Sequence, residues 1–112
     1  MIDGNRARLL KCKVIAEGGN VPLTPGAENY LHEQGMTILP AILCNSGGVT
    51  VSYFEWKQNR QAEQWSAERV DEELRAIMKS AVQRVNEARE KHACDLHTAA
   101  HIAALELSLI HI

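Results

Sequence analysis

Nowhere in this 112-residue chain do about 18 consecutive apolar residues occur, so no membrane-spanning helix is expected. Blocks of like charge are missing too. Twelve Lys and Arg are scattered among 14 Asp and Glu, and a formal net charge of -2 leaves no electrostatic footprint for nucleic acid. The three cysteines, Cys12, Cys44 and Cys94, are odd in number and far apart, with no Cys-x-x-Cys pair and no secretory leader at the start. A reduced, cytoplasmic setting is the expectation. No Gly-x-Gly-x-x-Gly occurs to grip a dinucleotide pyrophosphate, and no Ser/His/Asp or Cys/His arrangement points to nucleophilic catalysis. What is present is 46% hydrophobic residues, a core-forming rather than disordered composition, at a length that fits one small domain or part of a larger one.

Lys13-Val14-Ile15-Ala16 is a short apolar run bounded by Gly18-Gly19-Asn20, and it reads as a buried strand ending in a loop. Thr24-Pro25 then supplies an N-cap hydroxyl and a first-turn proline, and Gly35 offers a stop, which predicts a helix of about three turns. Thr37-Ile38-Leu39-Pro40 reads as a second strand. Strand, helix, strand calls for a right-handed parallel crossover, and two strands alone are too marginal a sheet to stand without neighbours. Because ligands gather at the carboxyl ends of parallel strands, Asn20 is a candidate polar contact, although a turn there would favour Asn equally. Met1 to Arg8 reads as polar and turn-like, with no readable function.

The densest stretch runs from Asn45 to Trp56. A Gly47-Gly48 pair ahead of a helical apolar pattern would free the first helical amides for a polar ligand. Helical spacing places Asn45, Val49 and Ser52 on one face, while Tyr53, Phe54 and Trp56 are expected to anchor the helix in its core. From spacing alone, a buried helix whose glycines permit tight packing is the preferred reading. Ser66 then caps a long amphipathic run through Val70, Leu74, Ile77, Met78, Ala81, Val85 and Ala88 to near His92, roughly 40 Å of helix. Such reach suits a helix that braces a second domain, or one that pairs in a bundle. Asp95 is placed to cap a last helix through Leu105.

Cys94, His97 and His101 fall at i, i+3 and i+7 and imitate a metal site, but Asp95 interrupts the face, no fourth ligand is apparent, and no metal is expected. The histidines read as surface or packing residues. Glu17 and Glu55 are the candidate acid/base carboxylates, each equally able to serve as a structural partner of a backbone amide.

Taken together, Ala16-Glu17-Gly18-Gly19-Asn20, Thr24-Pro25, Ile38-Leu39-Pro40, Asn45 to Trp56 and Leu96-His97-Thr98-Ala99-Ala100 resemble the C-terminal region of the glutamate/leucine/phenylalanine/valine dehydrogenase family. The resemblance runs from about Lys11 to Ala104, and Val51-Ser52-Tyr53-Phe54-Glu55-Trp56 resembles the glutamate branch. Departures from the family pattern are Gly19 and Ser46 where Ala is common, Val21 for Gly, Ala41 for Asp, and His97 and His101 for Arg and Tyr. The resemblance implies an α/β fold: the C-terminal part of a Rossmann-like nucleotide-binding domain with short parallel strands, followed by long C-terminal helices, over residues 1–106. Residues 107–112, Leu107 to Ile112, read as a non-native tail similar to a translated sequencing adapter.

The resemblance also implies NAD(P)-dependent, reversible oxidative deamination of L-glutamate to 2-oxoglutarate and ammonia by a homo-oligomer, a hexamer in the family, with NAD or NADP as cofactor. Asn20 and Asn45 would contact the nicotinamide ribose or carboxamide, Val49 would wall the aliphatic stem of the substrate, and Ser52 would bond its distal carboxylate. The family's catalytic lysine and aspartate and its glycine-rich loop would lie upstream, so no catalytic residue is expected in this chain and the chain alone is expected to be inactive. The alternative is a non-catalytic helical interaction or assembly module on the same scaffold.

Overall fold

The computed structural model describes residues 1–110. Asp3 caps a four-residue helix, α1 (Gly4–Ala7), by accepting from the Arg6 N–H at 2.9 Å. The stretch that reads as a featureless turn is therefore structured, and Ile2 pairs in parallel with Leu23. Ala7 joins Leu23, Ala27, Leu31 and Ile38 in the first of two cores. Five small and medium apolar residues from four chain segments close this core, which local pattern in Met1 to Arg8 could not reveal.

β1 (Val14–Ala16), α2 (Pro25–Glu33) and β2 (Thr37–Leu39) form the expected parallel crossover, with Val14, Ile15 and Ala16 opposite Thr37, Ile38 and Leu39. The Thr24 hydroxyl accepts from the Ala27 N–H at 3.2 Å, Pro25 sits in the first turn, and Gly35 leaves the helix at φ 75°, a left-handed conformation that glycine adopts without strain. β1 is less buried than a continuous apolar run suggests: Val14 is 54% exposed. Its free edge pairs with no other strand among the described residues.

From β2 the chain passes through Pro40 into α3 (Ala41–Cys44) and, across Asn45, almost directly into α4 (Ser46–Gln61). Gly47 and Gly48 thus lie inside the first turn of α4 rather than ahead of it. A Cβ on Gly47 would meet Leu74 at 3.9 Å, an ordinary contact, and one on Gly48 would meet nothing. Tight packing is not what these glycines supply. Of the three rings expected in the core, Phe54 alone is buried, while Tyr53 and Trp56 are 54% and 55% exposed and stack on each other at 5.8 Å. Phe54 packs instead on Trp65, 5.4 Å away, and the Arg69 guanidinium covers the Trp65 ring at 3.9 Å.

Ser66 caps α5 (Ala67–His92), 26 residues long, by accepting from the Arg69 N–H at 3.1 Å. After Ala93 the chain turns back, and Asp95 caps α6 (Leu96–Ile110) by accepting from the Thr98 N–H at 2.8 Å. The second core lies between these helices, where Val85 and Ala88 meet Ala99, Ala100 and Ala103. Small side chains on both faces let the two backbones approach closely. α6 passes Leu105 and continues through Ile110, with Leu107 half-buried beside α5. The last two residues of the suspected tail, His111 and Ile112, lie outside the described residues. No helix among the described residues is long and apolar enough to cross a membrane.

Candidate functional site

Parallel pairing sets the carboxyl ends of β1 and β2 side by side, so the segments that follow them meet. Glu17 continues the ladder, donating its N–H to the Leu39 carbonyl at 3.1 Å, and its Oε1 accepts from the Ala41 N–H at 3.1 Å. Pro40 offers no side chain to cap α3, so Glu17 does this from 24 positions away. Of the two readings of Glu17, the structure shows the backbone partner. Glu55 is exposed on α4.

The same meeting of loops unites two of the candidate ligand contacts. Asn45 Nδ2 donates to Asn20 Oδ1 at 2.6 Å and to the Gly18 carbonyl at 3.2 Å. These bonds use one amide group of Asn45 and the oxygen of Asn20. An NH2 on one side chain and a carbonyl oxygen on the other are left over, a donor and an acceptor suited to a carboxamide or a sugar hydroxyl. Beside Asn20 the backbone of Val21 stands at φ 48°, a left-handed conformation that a β-branched residue adopts only under strain.

Val49 and Ser52 follow on α4 and face solvent rather than a core. Val49 is 70% exposed, and exposed Ser52 donates its hydroxyl to the Gly48 carbonyl one turn back, at 3.2 Å. The preferred reading from spacing, a buried helix face, is overturned here: helical period shows which residues share a face, not whether anything covers it. Asn20 and Asn45 are brought into contact, whereas Val49 and Ser52 are hydrogen-bonded to neither of them.

A cleft of about 450 Å³ opens on the Asn20 side, lined by Glu17, Asn20, Val21, Glu28, Ala41 and His97 among others. Sequence reasoning missed Glu28 as part of this wall, because its partner His97 is distant in the chain. His97 Nδ1 lies 3.4 Å from Glu28 Oε1.

A sequence profile of the glutamate/leucine/phenylalanine/valine dehydrogenase family matches residues 1–108. The chain belongs to that family. It is 47% identical over 106 residues to the NADP-specific glutamate dehydrogenase A1 of Halobacterium salinarum, covering 94% of this chain and 25% of that protein. With the catabolic NAD-specific glutamate dehydrogenase of Bacillus subtilis it shares 37% identity over 107 residues, 96% of this chain and 25% of that one. Among solved structures, a hetero-hexameric glutamate dehydrogenase from Thermus thermophilus in a leucine-bound form superposes with a TM-score of 0.90 at 35% identity, covering 94% of this chain and 25% of that chain. The glutamate dehydrogenase of Peptoniphilus asaccharolyticus gives a TM-score of 0.88 at 36% identity, covering 94% and 27%. The chain spans about a quarter of the length of the curated relatives it matches. Its architecture is accordingly part of a Rossmann-like α/β domain followed by C-terminal helices.

Ala41, one of the departures that the resemblance implies, is buried at 6% exposure with its N–H given to Glu17. An aspartate here would bring a second carboxylate beside Glu17; with alanine, Glu17 is the carboxylate that holds this turn. Val21 stands at a positive φ, the setting that favours glycine. Cys94 lies in the turn ahead of α6 and so leaves the face of His97 and His101, whose rings meet edge-on at 4.7 Å. Among the described residues, no three His, Cys, Asp or Glu side chains are arranged to hold a metal ion. Burial works to raise the Asp95 carboxyl, but the hydrogen bonds from Thr98 and the charges of His32 and His97 outweigh it and hold the group below the usual carboxylate range.

Proposed function

We propose that this chain is a segment of an amino-acid dehydrogenase whose whole protein catalyses NAD(P)-dependent, reversible oxidative deamination of L-glutamate to 2-oxoglutarate and ammonia, and that the chain alone does not perform it. The Asn45–Asn20 pair at the carboxyl ends of two parallel strands is the observation that carries this reading. That position is where open α/β sheets take their ligands, and the two amides offer a fixed donor and acceptor there.

In this reading Asn20 and Asn45 hold the nicotinamide ribose or carboxamide, and the donor set fits, since both groups are neutral and hydrogen-bonding. The dinucleotide, NAD or NADP, supplies the hydride chemistry. Glu17 pins the start of α3 and so fixes where Asn45 stands. Val49 walls the aliphatic part of the substrate and Ser52 donates to its distal carboxylate; their exposure on α4 leaves both accessible to a ligand. The whole protein is proposed to be cytoplasmic and homo-oligomeric.

Two assays test the proposal. The purified 112-residue chain, given glutamate with NAD or NADP, should form no reduced dinucleotide. Grafted in place of the matching quarter of the Halobacterium salinarum relative, the same chain should sustain glutamate oxidation, and Asn45→Ala in the graft should weaken dinucleotide binding about tenfold, the loss expected for one hydrogen bond. A soluble, assembled graft without activity would overturn the enzymatic reading in favour of an assembly module.

A further inference from the structure

Glu28 Oε1 lies 3.6 Å from Nε2 of His32, one turn further along α2, and 3.4 Å from Nδ1 of His97 on α6. One carboxylate oxygen is shared by two imidazoles, and the second contact joins α2 to α6. His32 Nε2 is buried and has no hydrogen-bond partner among the described residues, a situation that costs free energy as it stands. Protonation makes both nitrogens of each ring donors and converts both contacts into ion pairs.

The surroundings push the same way. Glu17, on the segment after β1, lines the cleft with Glu28 and His97. From α5, Arg89 faces His32 together with Cys94 and Asp95 of the following turn, and His101 on α6 meets the His97 ring edge-on. β2 contributes no ionisable group here. With the rings neutral, three carboxylates (Glu17, Glu28 and Asp95) face one guanidinium, and charging His32 and His97 brings the cluster into balance.

We propose that Glu28, His32 and His97 form a pH-sensitive latch that holds α6 against α2 when the rings are protonated and loosens when they are neutral. Glu28 and His97 line the cleft that also contains Asn20, so the latch sets the position of one wall of the candidate site. Its stabilisation requires charged rings and is therefore greater in acid than in base.

Thermal unfolding of the full chain, of Glu28→Gln, and of both in a His32→Asn/His97→Asn background, at pH 5.5 and 8.5, tests the latch. Glu28→Gln should lower Tm about 4 °C more at pH 5.5 than at pH 8.5, and this difference should vanish in the background without the rings. An equal loss at both pH values, or a pH dependence that persists without the rings, overturns the proposal. Should the variants not fold, proton cross-relaxation between the His97 ring and the Glu28 methylenes in the unaltered chain decides it. Contact that is strong at pH 5.5 and weakened at pH 8.5 supports the latch, and contact unchanged with pH overturns it.

Discussion

Asn45 and Asn20, 25 positions apart, meet through a 2.6 Å hydrogen bond because one follows β2 and the other follows β1. The register of the parallel pair places the two ends level, and Glu17 binds across them to Ala41. Removing either amide should therefore loosen the same contact. Asn45→Ala and Asn20→Ala, measured singly and together by urea unfolding, should show a coupling of about 0.5–1.5 kcal/mol, the usual net value of such a bond. Strict additivity would mean that the contact does not contribute in solution.

Val21 is a place where the chain can be improved. A β-branched residue at φ 48° carries a left-handed penalty of roughly 1–2 kcal/mol that glycine does not. Val21→Gly gives back part of this through the greater freedom of the unfolded chain, so a net gain of about 0.5–1 kcal/mol is expected. A fall in stability on this substitution would contradict the backbone conformation described here.

Asp95 supplies a pH dependence of opposite sense to the latch. Its folded carboxyl lies below the usual range, so its contribution is present above the unfolded carboxylate value, near 3.9, and is lost as pH falls through the lower folded value. Asp95→Ala removes an N-cap and should cost about 1 kcal/mol at pH 7. The gap between variant and parent should close as the pH is brought down toward 2, read from Tm across the series. A gap that stays constant throughout would show that the carboxylate form is not what caps α6.

Ser52 separates a ligand-binding role from a structural one. Its hydroxyl donates to the Gly48 carbonyl on an exposed face, an interaction that does little for a helix, so Ser52→Ala should change the stability of the chain by less than about 0.5 kcal/mol. In the active graft the same change should lower kcat/KM for glutamate roughly 10- to 150-fold, the effect of a lost bond to a charged group. Norvaline, which has no distal carboxylate, should change by no more than about threefold. Equal losses for both substrates would remove Ser52 from the site.

The elements legible in the sequence were those with local signals. Thr24-Pro25, Ser66 and Asp95 cap where their residue types require, and the long apolar period from Val70 to Ala88 is one helix. α1 and α3 escaped because each is four residues long and held by distant partners: Ile2 by Leu23, and Ala41 by Glu17. Exposure escaped as well. Tyr53 and Trp56 carry the composition of a core and lie open, since burial depends on what the rest of a fold brings to a face. In the site, the Asn20–Asn45 contact follows from the crossover once the strands are known to be parallel. The Glu28–His97 contact depends on how α6 folds back along α5, for which neighbouring residues hold no record.

At about 1.5 Å per residue, the 26 residues of α5 make a rod of roughly 39 Å in a molecule 51 Å long. Near its start Trp65 is wedged between Phe54 and Arg69, and near its end Val85 and Ala88 carry the alanines of α6. Between the two, the Met78 sulfur accepts from the Ser46 hydroxyl of α4 at 3.3 Å, so the rod is held along its length and not at one end only. A 5° tilt of a rod this long would move one end through roughly 3 Å, about the length of a hydrogen bond. The placement of α6, and of His97 near its start, thus rests on all of these contacts rather than on Trp65 alone.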